Sequence, residues 1–166
     1  LGDFLTIQEK FKNYKKLRIT WIGDFNNVLI SLLHLQNIYL FDLNVVLPKI
    51  ILQSNIKKLT FFRNNKLKIL SDPIKGSKNS ECIMTDVWLS MGETNKNKNK
   101  YFKGFTVNNK IMQSASKNAI FMHCLPAKRG KEVTSDILDG KNSVVLKQAK
   151  NRMYIQQAIL IYVLKK

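Results

Sequence analysis

The stretch Ala119-Ile120-Phe121-Met122-His123-Cys124-Leu125-Pro126 decides how the rest of this sequence is read. Its apolar run reads as a strand, and Pro126, which has no N–H for a ladder, ends it. A thiol and an imidazole are left side by side at the carboxyl end of that strand. In open parallel α/β sheets this edge is where ligands bind.

Working outward, four more apolar runs read as strands. Leu17 to Ile22 closes on Gly23-Asp24, Leu43 to Leu47 closes on Pro48, Lys66 to Leu70 leads into Ser71-Asp72-Pro73, and Glu81 to Thr85 is the fourth. Helical spacing marks 1–15, 26–38 (with Val28, Leu29, Leu32 and Leu33 on the buried side), 49–62 and 107–117. Ser143 to Leu146 reads as another extended piece, and Gln148 onward as a terminal helix. Strands alternating with helices at this spacing predict an α/β fold. The expected form is a three-layer doubly wound domain with a mainly parallel central sheet flanked by helices. The 166 residues are expected to make one domain.

Composition narrows the function classes. A hydrophobic content of 45% fits a globular protein, and the longest apolar stretch, Ala158 to Leu164, is too short to span a bilayer. Cys82 and Cys124 do not make a disulfide scaffold, and with His34 and His123 the only histidines there is no metal-ligand spacing. An intracellular setting is expected, cytoplasmic, with the mitochondrial matrix as alternative. The net charge of +17 raises nucleic acid as a partner, yet of the 28 basic residues only Arg18, Arg63, Arg129 and Arg152 are arginine. Scattered lysines read as a solvated surface, because base and phosphate readers favour arginine interleaved with aromatics. The run 94–100, alternating Asn and Lys, reads as a loop. Gly23-Asp24-Phe25-Asn26-Asn27 lacks the dinucleotide fingerprint, so no nicotinamide cofactor is expected.

Chemistry-bearing residues gather where strands end. One of Asn26 and Asn27 suits a helix N-cap, which leaves the other for a polar ligand. Asp86 can hold a cation or cap a turn. Cys124 taken alone is a buried inert thiol as a rule, and Arg152 a surface residue on the terminal helix.

Together these residues resemble the ornithine carbamoyltransferases. The resemblance rests on Thr85-Asp86-Val87-Trp88-Leu89-Ser90-Met91-Gly92-Glu93 and His123-Cys124-Leu125-Pro126. It also rests on Gly23-Asp24-x-Asn26-Asn27, Asp3-Phe4-Leu5-Thr6-Ile7-Gln8-Glu9 and Gln148-Ala149-x-Asn151-Arg152. The motifs follow family order over essentially the whole chain. Aspartate carbamoyltransferases resemble it in fold but carry proline where Cys124 stands, and lack the Ser-Met-Gly loop.

The resemblance implies that Asn27, Asp86, Ser90 and Met91 bind L-ornithine, and that Cys124, Leu125 and Arg152 bind carbamoyl phosphate. Cys124, Asp86 and Arg152 would carry the catalysis, with His123 in support. It implies no metal and no cofactor, a homotrimer, and a place in arginine biosynthesis or the urea cycle. The family's phosphate loop, Ser-x-Arg-Thr-Arg, and its His-Pro-x-Gln segment occur nowhere in this sequence. The expectation is therefore an ornithine-binding, C-terminal-type half, truncated or completed by a separate N-terminal carbamoyl-phosphate domain. Helices at 1–15 and 148–166 would contact that domain, and the apolar residues nearly all round the terminal helix ask for such cover. Three positions depart from the family: Phe25 for a small residue, Ile30 for a common His, and Lys150 for a usual Glu beside Arg152. A non-catalytic ornithine-binding or interaction remnant is the alternative reading, and a basic nucleic-acid-binding module the third.

Overall fold

Five parallel strands pair in the order β3-β2-β1-β4-β5. They are β1 (Arg18–Ile22), β2 (Asp42–Val46), β3 (Leu67–Leu70), β4 (Cys82–Thr85) and β5 (Ile120–His123). The computed structural model describes residues 1–89 and 96–165. Every residue of β4 and β5 is buried, as are all but the first of β1 and β2, so the central strands read as unbroken apolar runs. Edge strand β3, less buried, alternates in Lys68.

Helices fill the crossovers: α1 (Gly2–Lys10), α2 (Asn27–Tyr39), α3 (Lys49–Phe61), α4 (Pro73–Ser77), α5 (Asn109–Ser114), α6 (Ser135–Leu138) and α7 (Val145–Leu164). Right-handed connections put α2 and α3 on one face of the sheet and α4 with α5 on the other. Helix α1 joins the first layer, with the Phe4 ring 5.1 Å from Tyr14 and 4.1 Å from Tyr39. Helix α7 packs on α1 and β5. The three-layer doubly wound expectation holds.

Two polar residues on the central strands, Thr20 and Asn44, are satisfied from α4. Thr20 Oγ1 donates to the Gly76 carbonyl at 2.8 Å, and Asn44 Nδ2 donates to the same oxygen at 2.7 Å. Such closeness needs a bare α-carbon, since a Cβ at Gly76 would fall 2.3 Å from Val46 Cγ2.

Several expected elements differ. The first helix stops at Lys10, because Phe11 turns extended at φ −127° and a 3-10 turn follows at Tyr14–Lys16. Ser143 pairs with Phe121 only as an isolated bridge, and Val145 already begins α7. The polar run expected as a loop holds a 3-10 helix, Lys96–Phe102, closed by the Trp88–Phe102 stack at 4.8 Å. Helix α4 was not expected, although Asp72 caps it by accepting from Lys75 N and Pro73 stands at its start. Its five residues are too few to show a period. No helix among the described residues is long and apolar enough to cross a membrane.

Candidate functional site

The chain leaves β1 toward β2 on one side, and leaves β4 toward β5 on the other. That divergence is the topological switch point, where an open sheet forms its ligand crevice. Gly23 turns the chain out of β1 at φ +147°, a region open to glycine and poor for other residues. Asp24 follows, buried, with an oxygen 2.6 Å from Lys98 Nζ, so the 3-10 helix is tied to the end of β1.

Asn26 then does two jobs. Its Oδ1 accepts from Val28 N and Leu29 N at 3.1 Å each, capping α2. Its Nδ2 donates to Asp86 Oδ2 at 2.8 Å, across the switch point. Asn27 opens α2 and is exposed. Phe25, where the family has a small residue, lies half-buried against the core with Lys58 over its ring, and the Asn26 cap is intact beside it.

Asp86 sits directly after β4 and is buried. Its carboxylate, the Cys124 thiol and the His123 ring have ligand atoms within 4.8 Å of one another. Burial first, then the Asp86 charge and a hydrogen bond to its carboxylate, push the Cys124 thiol far above its ordinary range. Cys124 is therefore a neutral thiol donating toward Asp86. The proton-accepting partner of the two is the carboxylate.

Beyond Cys124 the backbone turns sharply. Leu125 stands in the left-handed region at φ +45°, ahead of a cis Leu125–Pro126 peptide. Two groups grip this turn. His123 Nδ1 accepts the Leu125 N–H at 2.9 Å, and Arg152 Nη1 donates to the Cys124 carbonyl at 3.1 Å. Helix α7 delivers Arg152 and is itself held by polar contacts. Gln148 accepts from His123 N at 3.0 Å and donates to Asp3 at 2.8 Å, while Asn151 donates to Thr6 at 3.0 Å and Glu9 at 2.6 Å. Lys150, where the family usually has Glu, lies over the Tyr154 ring, one helical turn along.

On its far side His123 Nε2 lies 3.3 Å from Glu132 Oε1, with both side chains buried. Burial works against the Glu132 charge, but the facing His123 ring and the hydrogen bond from the Lys128 N–H outweigh it and hold this carboxyl below its usual range. Asp86, His123 and Cys124 form a triplet that the sequence spacing did not show, but it suits a metal poorly. Nδ1 is taken by Leu125, Nε2 faces Glu132, and the thiol is protonated.

The structure thus brings Asp86, His123, Cys124, Leu125 and Arg152 to one edge, with Asn27 at the near end of α2. Ser90 and Met91 lie outside the described residues. Sequence reasoning missed Asn26 as the clamp on Asp86, Gln148 as the bridge from β5 to α1, and Glu132 behind His123. Asn26 had a visible signal, since a capping Asn uses only its oxygen and leaves an amide to donate.

Comparison with known proteins agrees with this geometry. Residues 15–163 match the family model for the aspartate/ornithine carbamoyltransferase, Asp/Orn binding domain. The ornithine carbamoyltransferase of Prochlorococcus marinus (strain MIT 9312) is 42% identical over 167 residues, covering 96% of this chain and 54% of that protein. The Methanococcus vannielii enzyme is 37% identical, with 99% and 57% covered. Among solved structures, ornithine carbamoyltransferase from Pyrococcus furiosus superposes with a TM-score of 0.85 at 36% identity, covering 96% of this chain and 53% of that one. The anabolic enzyme of Campylobacter jejuni gives 0.84 at 33% identity, with 97% and 56% covered. The chain spans about half the length of the relatives it matches.

Proposed function

This chain belongs to the aspartate/ornithine carbamoyltransferase family, and from that premise we propose that it is the ornithine-binding half of an ornithine carbamoyltransferase. The reaction is carbamoyl phosphate plus L-ornithine giving L-citrulline and phosphate. The observation that carries the reading is the buried Asp86 carboxylate beside the Cys124 thiol at the switch point, flanked by Arg152 on the Cys124 carbonyl. A carboxylate held by Asn26 and facing the crevice recognises a cationic amine, and a neutral thiol beside it adds a small polarisable donor.

The δ-amine must lose a proton before it attacks, because an ammonium has no lone pair. Asp86 orients the ammonium. Its carboxylate accepts the proton the amine gives up, while Cys124 stays a neutral thiol donating toward it. Arg152 favours the charge that grows on the carbonyl oxygen as the amine adds, before phosphate leaves, with Cys124 and the Leu125 backbone lining the carbamoyl group. Asn27, Ser90 and Met91 complete the ornithine side. One guanidinium is weak support for a phosphate dianion, so most phosphate donors belong to a carbamoyl-phosphate half beyond these residues. Helices at 1–15 and 148–166 contact that half, a role supported by the exposure of Leu160, Tyr162 and Leu164. On family grounds the assembly is a trimer, the setting arginine metabolism and the compartment the cytoplasm.

Calorimetric titration with L-ornithine tests the site. The chain is expected to bind it, and Asp86→Ala to lose at least a factor of ten in affinity, about 1.4 kcal/mol. Equal affinities sink the assignment. The alternative, ornithine binding without catalysis, rests on the single guanidinium that these residues offer a phosphate dianion. Citrulline production by the purified chain alone would remove it.

A further inference from the structure

Resting on that reading of the crevice, we infer that Glu132 is a positioning residue: its buried carboxylate keeps the His123 proton on Nε2, so that Nδ1 stays bare to hold the Leu125 N–H and with it the Cys124–Leu125 turn. The turn needs holding. A leucine at φ +45° sits in the left-handed region that L-residues rarely adopt, and Leu125 is no glycine to take it without strain. The nearest restraint is the 2.9 Å bond from Leu125 N to His123 Nδ1.

That bond dictates the state of the ring. Nδ1 can accept only with its lone pair free, which excludes both the Nδ1–H tautomer and the imidazolium. The single proton must then sit on Nε2, and the group facing Nε2 decides whether it does. Glu132 Oε1 is that group, 3.3 Å away, with the two side chains 0% and 1% exposed. Its alignment falls short of a full hydrogen bond, Nε2 has no hydrogen-bond partner among the described residues, and the contact acts as a charge on the N–H dipole. Water is excluded and does not compete.

Glu132 is in turn fixed from two sides. Its carboxylate accepts the Lys128 N–H, and its backbone carbonyl accepts from Val107 N at 2.9 Å. A rigid relay therefore runs from the 107–132 contact through the carboxylate and imidazole to Leu125 N. It continues to the Cys124 carbonyl that Arg152 reads. Glu132 touches neither substrate as proposed and acts only through His123.

The test combines ring spectroscopy with a mutant cycle on the full chain. Nitrogen-15 spectra of the labelled chain are expected to show His123 with a bare Nδ1 and a protonated Nε2, resolved from His34. In Glu132→Gln the two nitrogens are expected to move toward each other as the tautomers mix, and ornithine affinity to fall severalfold. His123→Asn supplies an amide oxygen near the place of Nδ1 and needs no tautomer. In that background Glu132→Gln is expected to change ornithine affinity by less than twofold. Two results overturn the inference: an unchanged tautomer in Glu132→Gln, or an equal affinity loss in both backgrounds, which marks a purely structural role. If Glu132→Gln fails to fold, a wild-type His123 carrying its proton on Nδ1 still refutes it. The spectra need no ligand, so a chain that ignores ornithine fails the site assignment while leaving the tautomer result standing.

Discussion

At the scale of single residues, the pairing of Asp86 with Cys124 has a measurable signature. Burial, the Asp86 charge and its hydrogen bond all raise the thiol, so the reactive thiolate is scarce at neutral pH. Asp86→Asn removes the charge, lowers the Cys124 value and enlarges the thiolate fraction. Alkylation by iodoacetamide at pH 8 is expected to speed up by about tenfold, one pK unit. Cys82, fully buried and raised mainly by desolvation, is expected to stay inert in both proteins and serves as the internal control. A slower rate in Asp86→Asn contradicts the contact. Glu132 makes a second prediction. Its folded carboxyl titrates below its unfolded one, so it contributes stability above the unfolded value near 4.3, and that contribution drains away as pH falls. Urea midpoints between pH 5 and 3 are expected to drop less steeply in Glu132→Gln than in the wild type. Asp86 and Cys124 were legible because each directly follows an apolar strand, and Arg152 through the Gln148-Ala149-x-Asn151-Arg152 motif on the terminal helix. Asn26 and Glu132 were hidden because each works on another side chain, across 60 residues for Asn26–Asp86, and common polar types leave no mark when their partner is distant.

Among the elements, strands were legible because a sheet covered on both faces demands unbroken apolar runs. The doubly wound order followed from their alternation with helices. Short pieces escaped. Helices α4 and α6 span five and four residues, less than two turns; Asp72 caps the first, and the second is held by burial of Ile137 and Leu138. The 96–102 turn escaped for a different reason, since its stability comes from Phe102 on Trp88 and Lys98 on Asp24 rather than from its own Asn–Lys composition. Contacts of this kind can be probed one at a time. Gly76→Ala drives a methyl to 2.3 Å from Val46 Cγ2 and is expected to cost about 1–3 kcal/mol in chemical denaturation. Val46→Ala in the same chain is expected to recover part of it by opening the space. Between α1 and α7, Asn151→Ala leaves the buried Thr6 hydroxyl and the Glu9 carboxylate short of a donor. A loss of about 1–3 kcal/mol is expected by the same measurement.

On the scale of the whole molecule, the last three turns of α7 present Leu160, Ile161, Tyr162, Val163 and Leu164 to solvent, each more than half exposed. An apolar surface of this length drives association, and the basic charge of the rest of the chain opposes it. Leu160→Lys with Tyr162→Lys is expected to shift sedimentation toward monomer and leave the melting temperature within about 2 °C, since neither side chain belongs to the core. Unchanged self-association would absolve this face. The α1–α7 pair also carries a consequence in time. Asp3 meets Gln148, and Thr6 meets Asn151, across a separation of 145 residues in each case. Closing a loop of that size has the largest entropic cost in the chain, so these contacts form after the sheet has joined its neighbouring strands. During synthesis α1 leaves the ribosome long before α7, so its bonds to Gln148 and Asn151 wait until that helix has followed. Arg152 comes next on that same helix, so the crevice gains its guanidinium only in the final act of folding. A chain stalled one helix short would have a finished sheet, a waiting carboxylate and thiol, and no arginine.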